Sequence, residues 1–169
     1  EAIGLAVRGS GIGVALVLLF MLVYYKRGGL IADAAVLINI FLQLTVLATF
    51  GAAMTLPGIA GIALTVGMGV DGSVLINERI REEQRAGKTA RAAIEIGFGR
   101  ALSAIVDGNL TTLISAIVLA QYGSGPVKGF AVTLTVGVLI NLFTAVVVSR
   151  TFFELWARGF GRKTHLDIG

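Results

Sequence analysis

Long uncharged runs separated by short charged or glycine-rich breaks set the pattern of this chain. Residues 9–25, 34–70, 108–127 and 129–149 contain no Asp, Glu, Lys or Arg. Each run is near or above the ~18 residues that mark a membrane-crossing helix. The run 34–70 is too long for one crossing. Met54-Thr-Leu-Pro-Gly58 divides it, because Pro57 cannot continue a helix and Gly58 tolerates the turn. Admitting a few polar residues inside the ends predicts five spans, at about 3–25, 31–52, 58–77, 101–121 and 126–149. Lys26-Arg-Gly-Gly29, the Pro57 region and Tyr122-Gly-Ser-Gly-Pro126 read as tight turns between antiparallel helices.

The one long connection, 78–100, is charged, with Glu82 and Arg85 at i,i+3 spacing and Gly87 placed as a C-cap. The third span is expected to run on into it as a charged helix. A second helix from about Thr89 is expected to present Ala90, Ile94 and Phe98 toward the membrane surface or the bundle. Residues 1–150 thus form a transmembrane helical domain, with 78–100 as its cytoplasmic loop, and 151–169 a cytoplasmic tail.

Composition turns this pattern into a class. Hydrophobic residues make up 56% of the 169 and charged residues 14%, against about 25% charged in an average soluble domain, and the mean hydropathy is +0.88. The chain reads as an all-α integral membrane protein. Twelve of its 14 Lys and Arg residues fall on one side of the five spans, leaving Arg8 and Lys128 on the other. That asymmetry predicts a cytoplasmic 26–29 turn, 78–100 loop and tail, with Glu1 outside. The net charge of +4 is therefore a topology signal. Interleaved Glu78, Glu82, Glu83 and Glu95 argue against a nucleic-acid surface. Zero cysteines excludes structural disulfides and thiolate metal sites. The first span lacks a Lys-rich leader and a cleavage site, so it is no signal peptide, and the chain is expected to be a fragment or one domain of a longer protein.

Glycine needs its own explanation, because 23 residues at about 1 kcal/mol each relative to alanine would weaken soluble helices. In lipid, small residues let helices approach closely. Ala63, Gly67 and Asp71 form one i,i+4 row, Gly61, Thr65 and Gly69 another, and Gly129, Thr133, Gly137, Asn141, Ala145 and Ser149 a third. Gly67, Gly69, Gly129, Gly137 and Asn141 are the expected helix-packing positions.

Candidate chemistry rests on two carboxylates. Asp71 lies within Leu64-Thr-Val-Gly-Met-Gly-Val-Asp-Gly-Ser-Val-Leu-Ile76; an acid inside a span is expensive and points to proton or ion handling. On the fourth span Ser103, Asp107, Thr111 and Ser115 recur every four residues, a polar row that does not face lipid. Asp71 precedes Glu78 by seven residues and Asp107 follows Arg100 by seven, about 10 Å in each case. The two acids should therefore lie at similar depth, able to share a proton or pair with a cation. The plainer readings are Asp71 as helix glue and Asp107, with Asn109 and Thr112, as a brace. Asn39 and Gln43 read as inter-helix glue, Asp33 as a hydrated boundary residue, 78–85 as a solvated face, and His165 has no partner pattern. Intramembrane aspartyl proteolysis fails on spacing, since Val70 separates Gly69 from Asp71 and no Tyr-Asp pair is present in a preceding helix.

Several stretches together resemble a known family: Leu56-Pro-Gly-Ile-Ala-Gly61, Gly67-Met-Gly-Val-Asp71 with Val74-Leu-Ile76, Glu78-Arg-Ile-Arg-Glu-Glu83, Ala104-Ile-Val-Asp-Gly-Asn-Leu-Thr-Thr-Leu-Ile114, and Gly123-Ser-Gly-Pro-Val-Lys-Gly-Phe-Ala-Val-Thr-Leu134. They are similar, in order, to the membrane part of the SecD/SecF family of bacterial translocase subunits, on its SecD side. The resemblance implies the second to sixth helices of a six-helix half-transporter of the resistance-nodulation-division type, with a first helix and a large periplasmic domain preceding them. It implies that Asp71 is tied to proton flow, that Asp107 relays with it, and that Asn109, Thr111 and Thr112 belong to a polar motif, with Ser73, Ser103 and Ser115 in support. The family pattern continues Asp-Ala-Asn where this chain has Asp71-Gly-Ser73, so a hydroxyl replaces an amide.

The implied role is that of a non-enzymatic auxiliary subunit of the Sec preprotein translocase, driven by the proton motive force in the bacterial cytoplasmic membrane. SecF, the SecYEG translocon, a YajC-type accessory subunit, preproteins and the lipid bilayer would be its partners; nucleic acid would not. No cofactor or resident metal is expected. Protons would be the coupling ion, with sodium open because a carboxylate near Thr and Ser oxygens also suits a hard cation. A small-molecule or lipid exporter of the same superfamily and a purely structural scaffold are the rival readings.

Overall fold

Five long apolar helices, joined by turns too short to hold anything else, account for nearly all of the chain. A computed structural model describes residues 2–50, 55–159 and 168. The helices are α1 (Ala2–Tyr25), α2 (Arg27–Thr49), α3 (Leu56–Arg85), α4 (Ala90–Tyr122) and α5 (Pro126–Phe143). A π-helical segment, Thr144–Ser149, then leads without a break into α6 (Arg150–Gly159). The helix runs beginning at Ala2, Arg27, Leu56, Ala90 and Pro126 are each long and apolar enough to cross a membrane. Met54, Arg162, Lys163 and His165 lie outside the described residues.

Local chemistry explains each break. The α1–α2 turn has Lys26 at φ 49°, and a Cβ on Gly29 would stand 2.1 Å from the Met21 carbonyl oxygen, so only glycine permits so tight a reversal. Helix α3 starts on Thr55, whose Oγ1 accepts from the Gly58 amide at 3.2 Å, with Pro57 in the first turn where its missing N–H costs nothing. It ends at Gly87, φ 82°, where the Gly87 and Lys88 amides donate back to the Gln84 and Glu83 carbonyls, a Schellman closure. Thr89 then caps α4. The connection 78–100 is therefore mostly the end of α3 and the start of α4, and α4 is a single 33-residue helix rather than a loop helix followed by a span.

The apolar core sits toward the basic end of the bundle. Ile76 and Ile80 of α3 and Ala93, Ile94, Phe98 and Ala101 of α4 are buried there with Met21 and Tyr25. Ala90, Ile94 and Phe98 thus face the bundle. Helix α6 joins this core through Phe153, edge-on to Phe98 at 6.4 Å. Gly97 lets α4 close on α3: a Cβ there would lie 2.8 Å from the Ile80 nitrogen and 2.9 Å from the Arg79 carbonyl carbon. At the same end Glu83, buried, pairs with Lys88 at 2.8 Å and Arg100 at 2.5 Å, riveting the hairpin beyond its apolar stretch. The Lys88 ammonium, with the Arg100 guanidinium beside it, holds the Glu83 carboxyl below the usual carboxylate range. Helices α3, α4 and α5 pack most extensively on one another, while α1 leaves Leu5, Ile12, Leu16, Leu19 and Val23 exposed.

Candidate functional site

Polar residues inside the spans divide into two sets. The first set is buried and joins helices. Gln43 of α2 and Thr65 of α3 are both wholly buried and bond reciprocally at 2.8 and 3.1 Å. Asn39 donates to Thr144 Oγ1 at 3.0 Å, tying α2 to the π-helical segment. Asn141 of α5 donates to Asn109 Oδ1 of α4 at 2.9 Å, and Asn109 donates to the Ile105 carbonyl at 2.7 Å. Glycines make room for these pairs. A Cβ on Gly137 would stand 2.4 Å from Gln43 Nε2 and 2.6 Å from Thr65 Oγ1, one on Gly61 2.4 Å from Thr133 Oγ1, and one on Gly69 3.0 Å from Asn141 Oδ1. Gly129 lies more loosely, 3.3 Å from Thr55 Oγ1.

The second set points away from the chain. Asp71, Ser103, Asp107, Thr111 and Ser115 are all exposed, and Thr112 half so. Thr111, Thr112 and Ser115 donate to the carbonyls four residues before them, Asp107, Gly108 and Thr111, at 3.0–3.1 Å. Their protons are thereby used within α4 while their lone pairs face outward. Gly72 sits 3.6 Å from Ile105 at its notional Cβ, so Asp71 and Asp107 occupy one layer of neighbouring antiparallel helices. No hydrogen bond or ion pair is made by either carboxylate among the described residues, and none joins the two. The result is an acceptor-rich face with two acids, backed by the rigid α3–α4–α5 packing. Among the described residues no three His, Cys, Asp or Glu groups converge as a metal site would need.

Four placements differ from the pattern reading, the first being Glu83, which is buried although 78–85 read as a solvated face. Gly67 is exposed with nothing within 4 Å of its notional Cβ, so it packs no helix within this chain. Its row with Ala63 and Asp71 lies on the outward side. Ser73 is buried and donates to the Gly69 carbonyl at 3.0 Å, on the inner side of α3 away from Asp71. Asp33, set aside as hydrated, is only 6% exposed, and both its oxygens are buried without a partner. One turn earlier Gly29 touches α1, and that tight hairpin was the available signal that Asp33 would be covered.

Antiparallel spans locked by internal amide and hydroxyl pairs, with two acids on an exposed face, mark a polytopic membrane protein. The family described as "Protein export membrane protein SecD/SecF, C-terminal" matches residues 3–159. Protein translocase subunit SecD of Syntrophobacter fumaroxidans is 56% identical over 154 residues, covering 91% of this chain and 29% of that protein. SecDF from Thermus thermophilus, a translocon-associated membrane protein, superposes with a TM-score of 0.87 at 42% identity over 95% of this chain and 22% of its own. SecDF in a super-membrane-facing form gives 0.89 at 42% identity, covering 98% and 23%. The chain belongs to the SecD/SecF protein-export membrane family, and it spans under a third of the length of these relatives.

Proposed function

We propose that this chain is the membrane half of an auxiliary Sec translocase subunit that couples proton flow to preprotein export, with Asp71 as the carrier group and Asp107 as its relay. One observation carries this reading: among the described residues both carboxylates stand unpaired in one layer, on a polar face that lipid cannot cover cheaply and that these residues leave open. A second half-transporter, SecF, would close that face, and SecYEG, a YajC-type subunit and the preprotein would complete the assembly. The basic end would be cytoplasmic, following the charge asymmetry. Protonation of Asp71 from the outside and release inward would change how the α3–α4 face sits against the partner half. The scale is adequate, since one charge crossing 100 mV supplies about 2.3 kcal/mol, a bias of roughly fifty-fold on a two-state packing equilibrium.

The test is gradient-stimulated preprotein translocation into vesicles carrying the full-length protein. Asp71→Asn is expected to lower the stimulated component at least ten-fold while the ATP-driven step and the protein's thermal stability persist, and Asp71→Glu to restore part of it. Full stimulation by Asp71→Asn would sink the carrier reading in favour of a structural one. Stimulation that follows a sodium gradient instead would replace the proton as coupling ion.

A further inference from the structure

We infer that one water molecule is bound within the membrane span, in the small cavity between α2, α3, α5 and the π-helical segment. The cavity measures about 10 Å³, room for a single water. Asn39, Gly69, Ser73, Asn141, Thr144 and Ser149 line it. Asn39 is 2% exposed, and its Oδ1 is buried with no partner while its Nδ2 is engaged by Thr144. Turning the amide over would orphan the nitrogen instead. Asn141 spends its Nδ2 on Asn109, and its Oδ1, beside Gly69, accepts no hydrogen bond among the described residues. The hydroxyl of Ser149, 3% exposed, makes no hydrogen bond among the described residues.

Counting hydrogens identifies the occupant. The cavity offers two unused amide oxygens and one unused hydroxyl, because Ser73 and Thr144 donate to carbonyls of their own helices, Gly69 at 3.0 Å and Ile140 at 3.0 Å. A water gives two protons and accepts one, making the three bonds usual for buried water. A sodium ion fits worse, since every lining group is neutral and an uncompensated charge among them would be strongly penalised. Ser73 also lines the cavity, so a longer amide side chain at this position would reach into the space where the water bridges α2 and α5.

A high-resolution cryo-EM map of the full-length protein in lipid nanodiscs, at a resolution that reveals other internal waters, tests this directly. Density within hydrogen-bond reach of Asn39, Asn141 and Ser149 is expected. Ser73→Asn is expected to remove that density and raise the thermal midpoint by roughly 2 °C, as a direct bond replaces an immobilised water. An empty cavity in the wild-type map overturns the proposal even if the variant fails to fold. So does a thermal midpoint that rises with sodium over potassium, which would assign the density to a cation.

Discussion

The inner and outer polar groups of this bundle both include threonines in four-residue rows, Thr65 inside and Thr111 outside, yet they do different work. Thr65, Asn109 and Asn141 face other helices and bond across them. Thr111 and Ser115 face outward and bond to their own backbone. Apart from the amide oxygens and the hydroxyl that face the small cavity, inner groups spend their hydrogen-bonding capacity on holding the fold. Outer groups keep lone pairs and two carboxylates available. The difference teaches that a polar residue in a span is evidence of function only when its partners within the chain have been accounted for, because interhelical hydrogen bonds in membranes are ordinary packing devices.

Substitutions separate the two rows, beginning with the strongest. Gly97→Val forces a side chain against the backbone at Arg79 and Ile80, which cannot swing aside. A loss of about 3 kcal/mol is expected, read from reversible unfolding of the full-length protein in mixed micelles. An unchanged midpoint would mean that α3 and α4 are not this close. On the inner row, Asn109→Leu strands the Asn141 amide and should cost about 1 kcal/mol by the same assay, with gradient-driven activity reduced only as far as stability is.

At the hairpin end, Glu83 offers a pH test. Its carboxyl is held below the usual range by Lys88 and Arg100, so the ionised form is favoured in the folded state. Its contribution is present above the ordinary glutamate value of about 4.3 and disappears as pH falls through the lowered folded value. Protease cleavage in the turn 86–89 should stay flat from neutral pH down to about 4.3 and rise only below it. Glu83→Gln should raise cleavage at neutral pH and abolish the acid step; an acid step that survives in Glu83→Gln would assign it to another group. The smallest effect belongs to the outer row. Gly67→Ala meets open space and should change the stability of this subunit by no more than about 0.5 kcal/mol. A much larger effect confined to the assembled translocase would show that a partner helix packs there.

Much of this was legible from spacing alone. Charge-free run lengths and the Pro57 and glycine breaks delimit helices because a bilayer demands internally bonded segments of fixed length. The Gly87 cap followed from the same logic, since only glycine accepts that backbone angle cheaply. The i,i+4 polar rows and the shared depth of Asp71 and Asp107 followed from helix geometry. Which row faces inward did not follow, because periodicity defines a face but not its neighbour. Ala63-Gly67-Asp71 and Gly61-Thr65-Gly69 look alike as strings, and only the position of α5 makes the second the packing row. The π-helical segment left no trace in Thr144-Ala-Val-Val-Val-Ser149, nor did its bond to α2 through Asn39 and Thr144. Asp33 was misjudged for the same reason: distance along the helix measures depth, whereas burial depends on which neighbours pack against it. Element lengths, breaks and the identity of the acids were therefore determined by the sequence itself, through local backbone energetics and the cost of polar groups in hydrocarbon. Only the tertiary structure decided which polar groups are spent on the fold and which remain open, because that depends on contacts between residues far apart in the chain.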